Sequence, residues 1–391
     1  MESRQGSPTD SRRQLVAYLA GAFTSALCCT LLFAILFLKF GSRVAPRGNP
    51  LEWSHQHVAG QFALELPEDV LADCRKHQVV FENAHNPTNA KPHDTCLVRP
   101  DEKFGWVLNP NAQVSMHMLR SKTPLNLDPP LLAVPTMEPL TDRIKEYLKA
   151  QSRVACSYSV DSAGRRKTVP LVSDKPKIVL VGDSVCFGVM VSDENTIASR
   201  LQRLVGDGYQ IVNAGVGGYQ GPQALRAAEG CLDEGDCAAV VYVACQNDFF
   251  LDDLQHQHEV ASTVLEKFST LRSRFQGPIV VLLTTYLEHV NADLLTGYGW
   301  PAQHLDGTER LRAEIPTLCS SHGLKFIDLA SHFQARQQSE GTIFEPMSLY
   351  VDHCHLSPRG SEVAARLIHD ILAEEASMTR LTRTPSVDAK R

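Results

Sequence analysis

The chain has no strong excess of charge of either sign: 38 Lys and Arg stand against 44 Asp and Glu in 391 residues, a formal net charge of −6. It contains no run of Lys and Arg interleaved with aromatic residues, so nucleic acid is a poor candidate partner, and binding an anionic polymer by charge alone is unsupported. The Gly182-Asp183-Ser184 turn lacks the Lys-Ser/Thr pair that a phosphate-binding P-loop requires. An even set of cysteines is missing as well. Of the eleven present, Cys28 and Cys29 lie in an apolar run, and the odd number left excludes a complete disulfide framework. Cys231 and Cys237 bracket a short polar turn and could close a local bridge in an exported domain, with Cys74 and Cys96 a vaguer second pair. Scattered buried thiols are the alternative.

What is present begins with a long apolar stretch. From Leu15 to Phe40 no charge occurs until Lys39, which is long enough to cross a hydrocarbon core of about 30 Å as a helix. A buried soluble helix is seldom apolar on every face, and a cleaved signal peptide has a shorter apolar run followed by a small-x-small site, which is not clear here. An uncleaved transmembrane anchor is the expectation. Arg4, Arg12 and Arg13 precede the run while Lys39, Arg43 and Arg47 follow it, so flanking charge does not set its orientation. A short cytoplasmic tail, residues 1–14, with the large domain exported is the simpler arrangement.

Residues 41–50 are polar and contain Gly and Pro, as befits a linker. Residues 51–176 hold many prolines and one helix-like run near Leu140 to Ser152, an accessory region of loops and short strands. From Lys177 short apolar runs alternate with amphipathic stretches, the pattern of a parallel sheet covered by helices. Strands are expected at Lys177–Val181, Gln210–Asn213, Ala239–Ala244, Ile279–Thr284 and Lys325–Asp328. Helices are expected near Thr196–Leu204, Pro222–Cys231, Glu259–Phe275, Thr308–His322 and Pro358–Glu375. The result is an α/β fold: a three-layer, doubly wound α/β/α sandwich with a mainly parallel five-stranded sheet over 177–375, then a disordered tail over 376–391. Such sheets bind ligands beyond the carboxyl ends of their strands.

Chemistry-bearing residues follow those strands. The first runs into KIVLVGDSVCFG, where Ser184 emerges at a strand-to-helix junction. The second runs into NAGVGGYQG, whose glycines let the backbone approach closely and leave N–H groups outward. The third runs into ACQNDFF, placing Asn247 at the same end of the sheet. Each has a plainer reading as a capped turn. Near the C-terminus, YVDHCHLSPRG puts Asp352 three residues before His355, so one loop can supply a base and the carboxylate that orients it. A metal held by Asp352, His353, Cys354 and His355 is the alternative, opposed by the difficulty of converging neighbouring residues on one ion.

These four segments, in this order and after these strands, resemble the sequence blocks of the SGNH (GDSL-like) hydrolase family, over about half the chain. The resemblance implies a flavodoxin-like SGNH fold, with Ser184 as nucleophile and Asp352 and His355 completing a triad. It implies an oxyanion hole from the Ser184 N–H, Gly218 and Asn247, and it calls for no metal and no cofactor. Asp183 is expected to organise the turn. One departure is Cys245, where the family usually has Gly two residues before its Asn; a side chain there could narrow the pocket or alter the backbone path. The upstream segments DEKFGWVLNPN and YSVDSAGRR are similar to pieces found before the catalytic domain in some bacterial members.

The expected activity is acyl-ester hydrolysis, with an acylated surface glycan or a lipid as substrate if the domain is exported on a membrane anchor. The stretch from Thr285 to Gln303 supplies Tyr286, His289, Tyr298 and Trp300, which can stack on sugar rings or pack the loop down. An O-acyltransferase would use the same residues with a sugar hydroxyl in place of water. A non-catalytic glycan-binding or assembly protein would keep the fold.

Overall fold

A computed structural model of the chain describes residues 97–119, 131–135, 141–249, 254–284, 303–339, 348–352 and 354–382. All belong to one compact unit, Phe62–Arg391. The apolar run Leu15–Phe40, its linker, Cys74, Cys96, His353 and the aromatic side chains of 285–300 lie outside the described residues. Among the described residues no helix is long and apolar enough to cross a membrane.

Five strands form the central sheet: β6 (Lys177–Gly182), β7 (Gln210–Asn213), β8 (Cys237–Cys245), β9 (Ile279–Thr284) and β10 (Lys325–Asp328). They lie side by side in the order β7-β6-β8-β9-β10, and every pairing is parallel. Strands buried on both faces read as continuous apolar runs, which is why their limits fall within a residue or two of those expected from the sequence. Odd and even positions serve opposite cores. Ile178, Leu180, Val241 and Val243 pack with Ile197, Leu201, Ala364 and Ile368, while Val179, Val181, Val240 and Tyr242 pack with Ala224, Leu265, Phe268 and Ile315.

The covering helices are α3 (Ile197–Val205) and α8 (Pro358–Thr382) on the first face, with α4 (Gly221–Asp233), α5 (Leu254–Thr270) and α6 (Gln303–Ser321) on the second. Thr196 caps α3 by accepting the Ser199 N–H at 3.1 Å. At the expected strand-to-helix junction stands α2 (Ser184–Phe187), a single turn; one helix was not foreseen, α7 (Leu329–Ser339), whose buried residues Leu329, Ala330 and Phe333 lie near its start and leave no extended apolar stripe. A correction concerns the tail. Residues 376–382 continue α8, because EEASMTRL consists mostly of good helix formers and nothing in it breaks the helix. Of the two readings given for Cys231 and Cys237, the structure has free thiols, the first buried and the second half-buried.

The accessory region is more regular than its prolines suggest. β1 (Val98–Asp101) and β2 (Gly105–Leu108) form an antiparallel hairpin. β3 (Gln113–Leu119) pairs with β4 (Leu131–Pro135) on one side and β5 (Ser152–Ser159) on the other, and α1 (Asp142–Gln151) leads directly into β5. Val114, Met116 and Met118 alternate inward and form a core with Tyr158 and Val160. Phe187, Val189, Met190, Val216 and Tyr219, from the loops after β6 and β7, complete it. One hydrophobic core therefore crosses the expected boundary at residue 176.

Arg166 fixes this junction. It is fully buried, with its guanidinium 3.9 Å from the Tyr158 ring centroid and 4.5 Å from that of Phe187. It pairs with Asp193 at 2.9 Å and donates to the carbonyls of Gly188 at 2.9 Å and Val191 at 2.7 Å. A buried cation is tolerable only when its donors are matched in this way.

Candidate active site

The strand order reverses between β6 and β8, because β7 lies on one side of β6 and β8 on the other. The chain leaving β6 and the chain leaving β8 therefore diverge at the carboxyl end of the sheet and open a crevice there. Ser184, Gly218 and Asn247 follow strands at this end, and Asp352 and His355 lie in the loop before α8.

Leaving β6, Gly182 has φ +153°, and a Cβ there would collide with the Val243 carbonyl oxygen, so only glycine fits. Asp183 then caps α2, its Oδ1 accepting the Val185 N–H at 2.8 Å. Ser184 opens the helix at 6% exposure, and Gly188, in the left-handed region, closes it.

The loop after β7 is laid directly against this turn. The Val216 N–H donates to the Gly182 carbonyl at 3.1 Å, and Gly215 sits so close to Cys186 and Phe187 that a Cβ would overlap them. A Cβ on Gly217 would stand 4.0 Å from that of Ser184. Gly218 follows with φ +78°.

After β8, residues Gln246–Phe249 form a 3-10 turn that carries Asn247 at the same sheet end. Asp248 holds the turn: its Oδ2 accepts the Cys245 N–H at 3.0 Å and the Tyr242 hydroxyl at 2.8 Å. Burial, and then the Asp183 charge, push the Asp248 carboxyl well above the ordinary aspartate range. Burial likewise raises Cys186 and Tyr242. Cys245 points into the core with Leu180, Val185 and Leu349, so its side chain is absorbed by packing.

The last loop is a narrow excursion tied at its base by the Tyr350–Leu356 bridge and by the Val351 N–H donating to the His355 carbonyl at 2.9 Å. Asp352 Oδ1 accepts the N–H groups of Cys354 at 2.9 Å and His355 at 2.7 Å, which folds the loop back and frees Oδ2 for the imidazole. Ser357 then caps α8, with Pro358 at its first position.

The structure brings Ser184, His355 and Asp352 together across 171 residues of sequence. His355 Nε2 lies 2.9 Å from Ser184 Oγ, and its Nδ1 lies 2.6 Å from Asp352 Oδ2. His355 and Asp352 are only 4% and 5% exposed. With a carboxylate accepting from Nδ1–H, the Nε2 lone pair is left to receive the serine proton. Beside the hydroxyl, the N–H groups of Ser184 and Gly218 have no hydrogen-bond partner among the described residues. That leaves two donors available to a developing oxyanion.

Metal binding needs a separate test, because Asp352, Cys354 and His355 present ligand atoms within 4.8 Å of one another. Sequence adjacency does not keep these donors apart, contrary to expectation. What opposes an ion is that Nδ1 is engaged by Asp352 and Nε2 by Ser184, leaving neither ring nitrogen to coordinate without dismantling the chain of hydrogen bonds.

Trp106 was missed by sequence reasoning. Its indole Nε1 donates to the Gly217 carbonyl at 2.9 Å, and the Tyr219 hydroxyl donates back to the Trp106 carbonyl at 2.8 Å. Phe104 stacks on Tyr219, and Gln223 Nε2 donates to the Phe104 carbonyl at 2.7 Å. The sole signal was its place in the upstream segment DEKFGWVLNPN.

Residues 180–363 match the GDSL-like Lipase/Acylhydrolase family. Among solved structures, the chain is similar to a carbohydrate acetylesterase family member from Sinorhizobium meliloti, with 14% identity, TM-score 0.39, and coverage of 51% of this chain and 97% of that one. An acetyl xylan esterase has 18% identity and TM-score 0.39, covering 50% and 99%. A lipolytic protein of the G-D-S-L family from Veillonella parvula has 18% identity and TM-score 0.37, covering 50% and 98%. No curated protein matches the chain. The matched span takes in all four loops of the crevice, and the protein is a hydrolase acting on ester bonds, its catalytic part similar to the GDSL-like lipases and acylhydrolases.

Proposed function

We propose that the protein is a serine esterase that works through an acyl-enzyme on Ser184. The observation that carries this reading is the unbroken chain from Ser184 Oγ to His355 Nε2 at 2.9 Å and from His355 Nδ1 to Asp352 at 2.6 Å, beside two backbone N–H groups that have no partner among the described residues. His355 takes the proton as Ser184 attacks the ester carbonyl, and Asp352 stabilises the imidazolium that forms. The Ser184 and Gly218 N–H groups and the Asn247 amide receive the negative charge on the carbonyl oxygen. His355 then passes the proton to the leaving alcohol, and water attacks the acyl-enzyme by the same route in reverse.

The substrate is an acylated surface glycan or a lipid, a reading that rests on Leu15–Phe40 as a membrane anchor with the catalytic domain exported. A fluorophosphonate probe should label the full-length protein, and the label should vanish in Ser184→Ala and fall sharply in His355→Ala. Labelling that survives Ser184→Ala would remove Ser184 from the reaction. Turnover of p-nitrophenyl acetate with and without a sugar acceptor distinguishes hydrolysis from acyl transfer: free acetate is expected, and predominant acetyl-sugar would make the enzyme an O-acyltransferase.

A further inference from the structure

We infer that Trp106, which lies outside the span matched to the esterase family, is a positioning residue of the oxyanion hole. The inference rests on the proposed role of the Gly218 N–H. A trans peptide is planar, with its C=O and N–H pointing in opposite directions. The carbonyl of Gly217 and the N–H of Gly218 belong to one such unit, so whatever fixes the first aims the second. The indole Nε1–H fixes it, at 2.9 Å.

The need for an anchor comes from the sequence. Rotating this peptide changes ψ of Gly217 and φ of Gly218, and both residues are glycine, the residue that resists such rotation least. A flip would turn the Gly217 carbonyl oxygen toward the place of the Gly218 donor and replace attraction for the oxyanion by repulsion. Trp106 opposes the flip twice. Its N–H would lose its acceptor, and its ring lies close against Gly218, with Cζ2 3.2 Å from the place of a Cβ on that residue.

The anchor is itself held. The Tyr219 hydroxyl donates to the Trp106 carbonyl at 2.8 Å, the two rings meet edge to face at 5.8 Å, and Gln223 at the start of α4 holds the neighbouring Phe104 carbonyl. The β1–β2 hairpin thus reaches the chemistry through one peptide group, without touching the reacting atoms.

The test is Trp106→Phe in the full chain, which keeps a ring and deletes the N–H. Because losing one oxyanion donor costs about 10²- to 10³-fold in kcat, losing its anchor should lower kcat by roughly 10-fold or more, with KM for p-nitrophenyl acetate little changed. Affinity for a trifluoromethyl ketone, whose serine adduct carries an oxyanion, should weaken by the same factor as kcat/KM, a correlation that mere loosening of the fold would not produce. If Trp106→Phe fails to fold, 3-benzothienylalanine at position 106 preserves the indole shape and lacks only the N–H. Unchanged kcat in a folded variant, or a rise in KM with kcat intact, would overturn the inference. Ser184→Ala in parallel separates the two failures: if it remains active, the esterase reading itself is wrong.

Discussion

The parallel sheet and the antiparallel layer upstream of it are built on different terms. The sheet closes its own two cores with its own helices. The layer formed by β3, β4 and β5 has a core that is finished by Phe187, Val189, Met190, Val216 and Tyr219, all on loops that leave the sheet beside Ser184. A doubly wound sheet offers a crevice but does not by itself hold the crevice loops still. In this protein upstream residues are packed against those loops: Tyr158 of β5 accepts the Met190 N–H, Arg166 beyond β5 donates to the Gly188 and Val191 carbonyls, and Trp106 of the β1–β2 hairpin donates to the Gly217 carbonyl.

If that division is right, changes at the sheet end should affect catalysis and spare stability, whereas changes at the junction should affect both. The largest effect is expected from Asp352→Asn, which keeps an oxygen for the Cys354 and His355 N–H groups but cannot orient the imidazole tautomer. Its kcat should fall by about 10⁴-fold while the melting temperature stays close to that of the unmodified protein. A large drop in melting temperature would show that this loop also supports the fold.

Next comes Arg166→Met. Removing the guanidinium takes the cation from Asp193, which keeps the Ser159 N–H, and takes the side-chain donor from the carbonyls of Gly188 and Val191, a loss of about 3–5 kcal/mol for breaking a buried pair. Urea unfolding should register it, and ester turnover should fall too because α2 loses the clamp on its carboxyl-terminal side. A variant of undiminished stability would mean that the upstream layer is merely appended to the sheet.

The smallest effect sharpens the comparison from within the sheet. Asp248 is buried beside Tyr242, with Asp183 as its charged neighbour, and titrates well above the ordinary value of 3.8. The native state therefore keeps this proton after the unfolded chain has lost it. Its contribution to stability is fully present below 3.8 and is lost as pH rises toward the folded value. Asp248→Asn has no such proton to lose, so its stability relative to the unmodified protein should improve from acid to neutral pH. Parallel unfolding curves at both pH values would contradict the assignment.

How far each region could be read beforehand follows from the same contrast. Gln210–Asn213, Ile279–Thr284 and Lys325–Asp328 stand where their apolar runs put them, because strands covered on both faces leave a local trace. Ser184, Gly218, Asp352 and His355 were visible for a related reason, since each lies in a short segment tied to a strand end or to the start of α8. β3 also carries a local pattern, Val114, Met116 and Met118 alternating inward, but surrounding prolines masked it. The Trp106–Gly217 bond left no local trace at all: its partners are 111 residues apart, and neither hydrophobic period nor turn chemistry links them. α7 was hidden because its buried apolar residues lie near its start and form no extended stripe. Asp248 stands beside Asn247 in ACQNDFF with nothing in the segment to mark it, and only the fold shows it buried against Tyr242.

The central claim is that Ser184 carries the acyl group between ester and acceptor. Its most direct measurement is intact-protein and peptide mass spectrometry after rapid mixing with p-nitrophenyl acetate and acid quenching. The account predicts one acetyl group per chain, on the peptide containing Ser184, formed with a burst of p-nitrophenol and absent from Ser184→Ala. Turnover at the unmodified rate by Ser184→Ala, or an acetyl group found consistently on another residue, would contradict it.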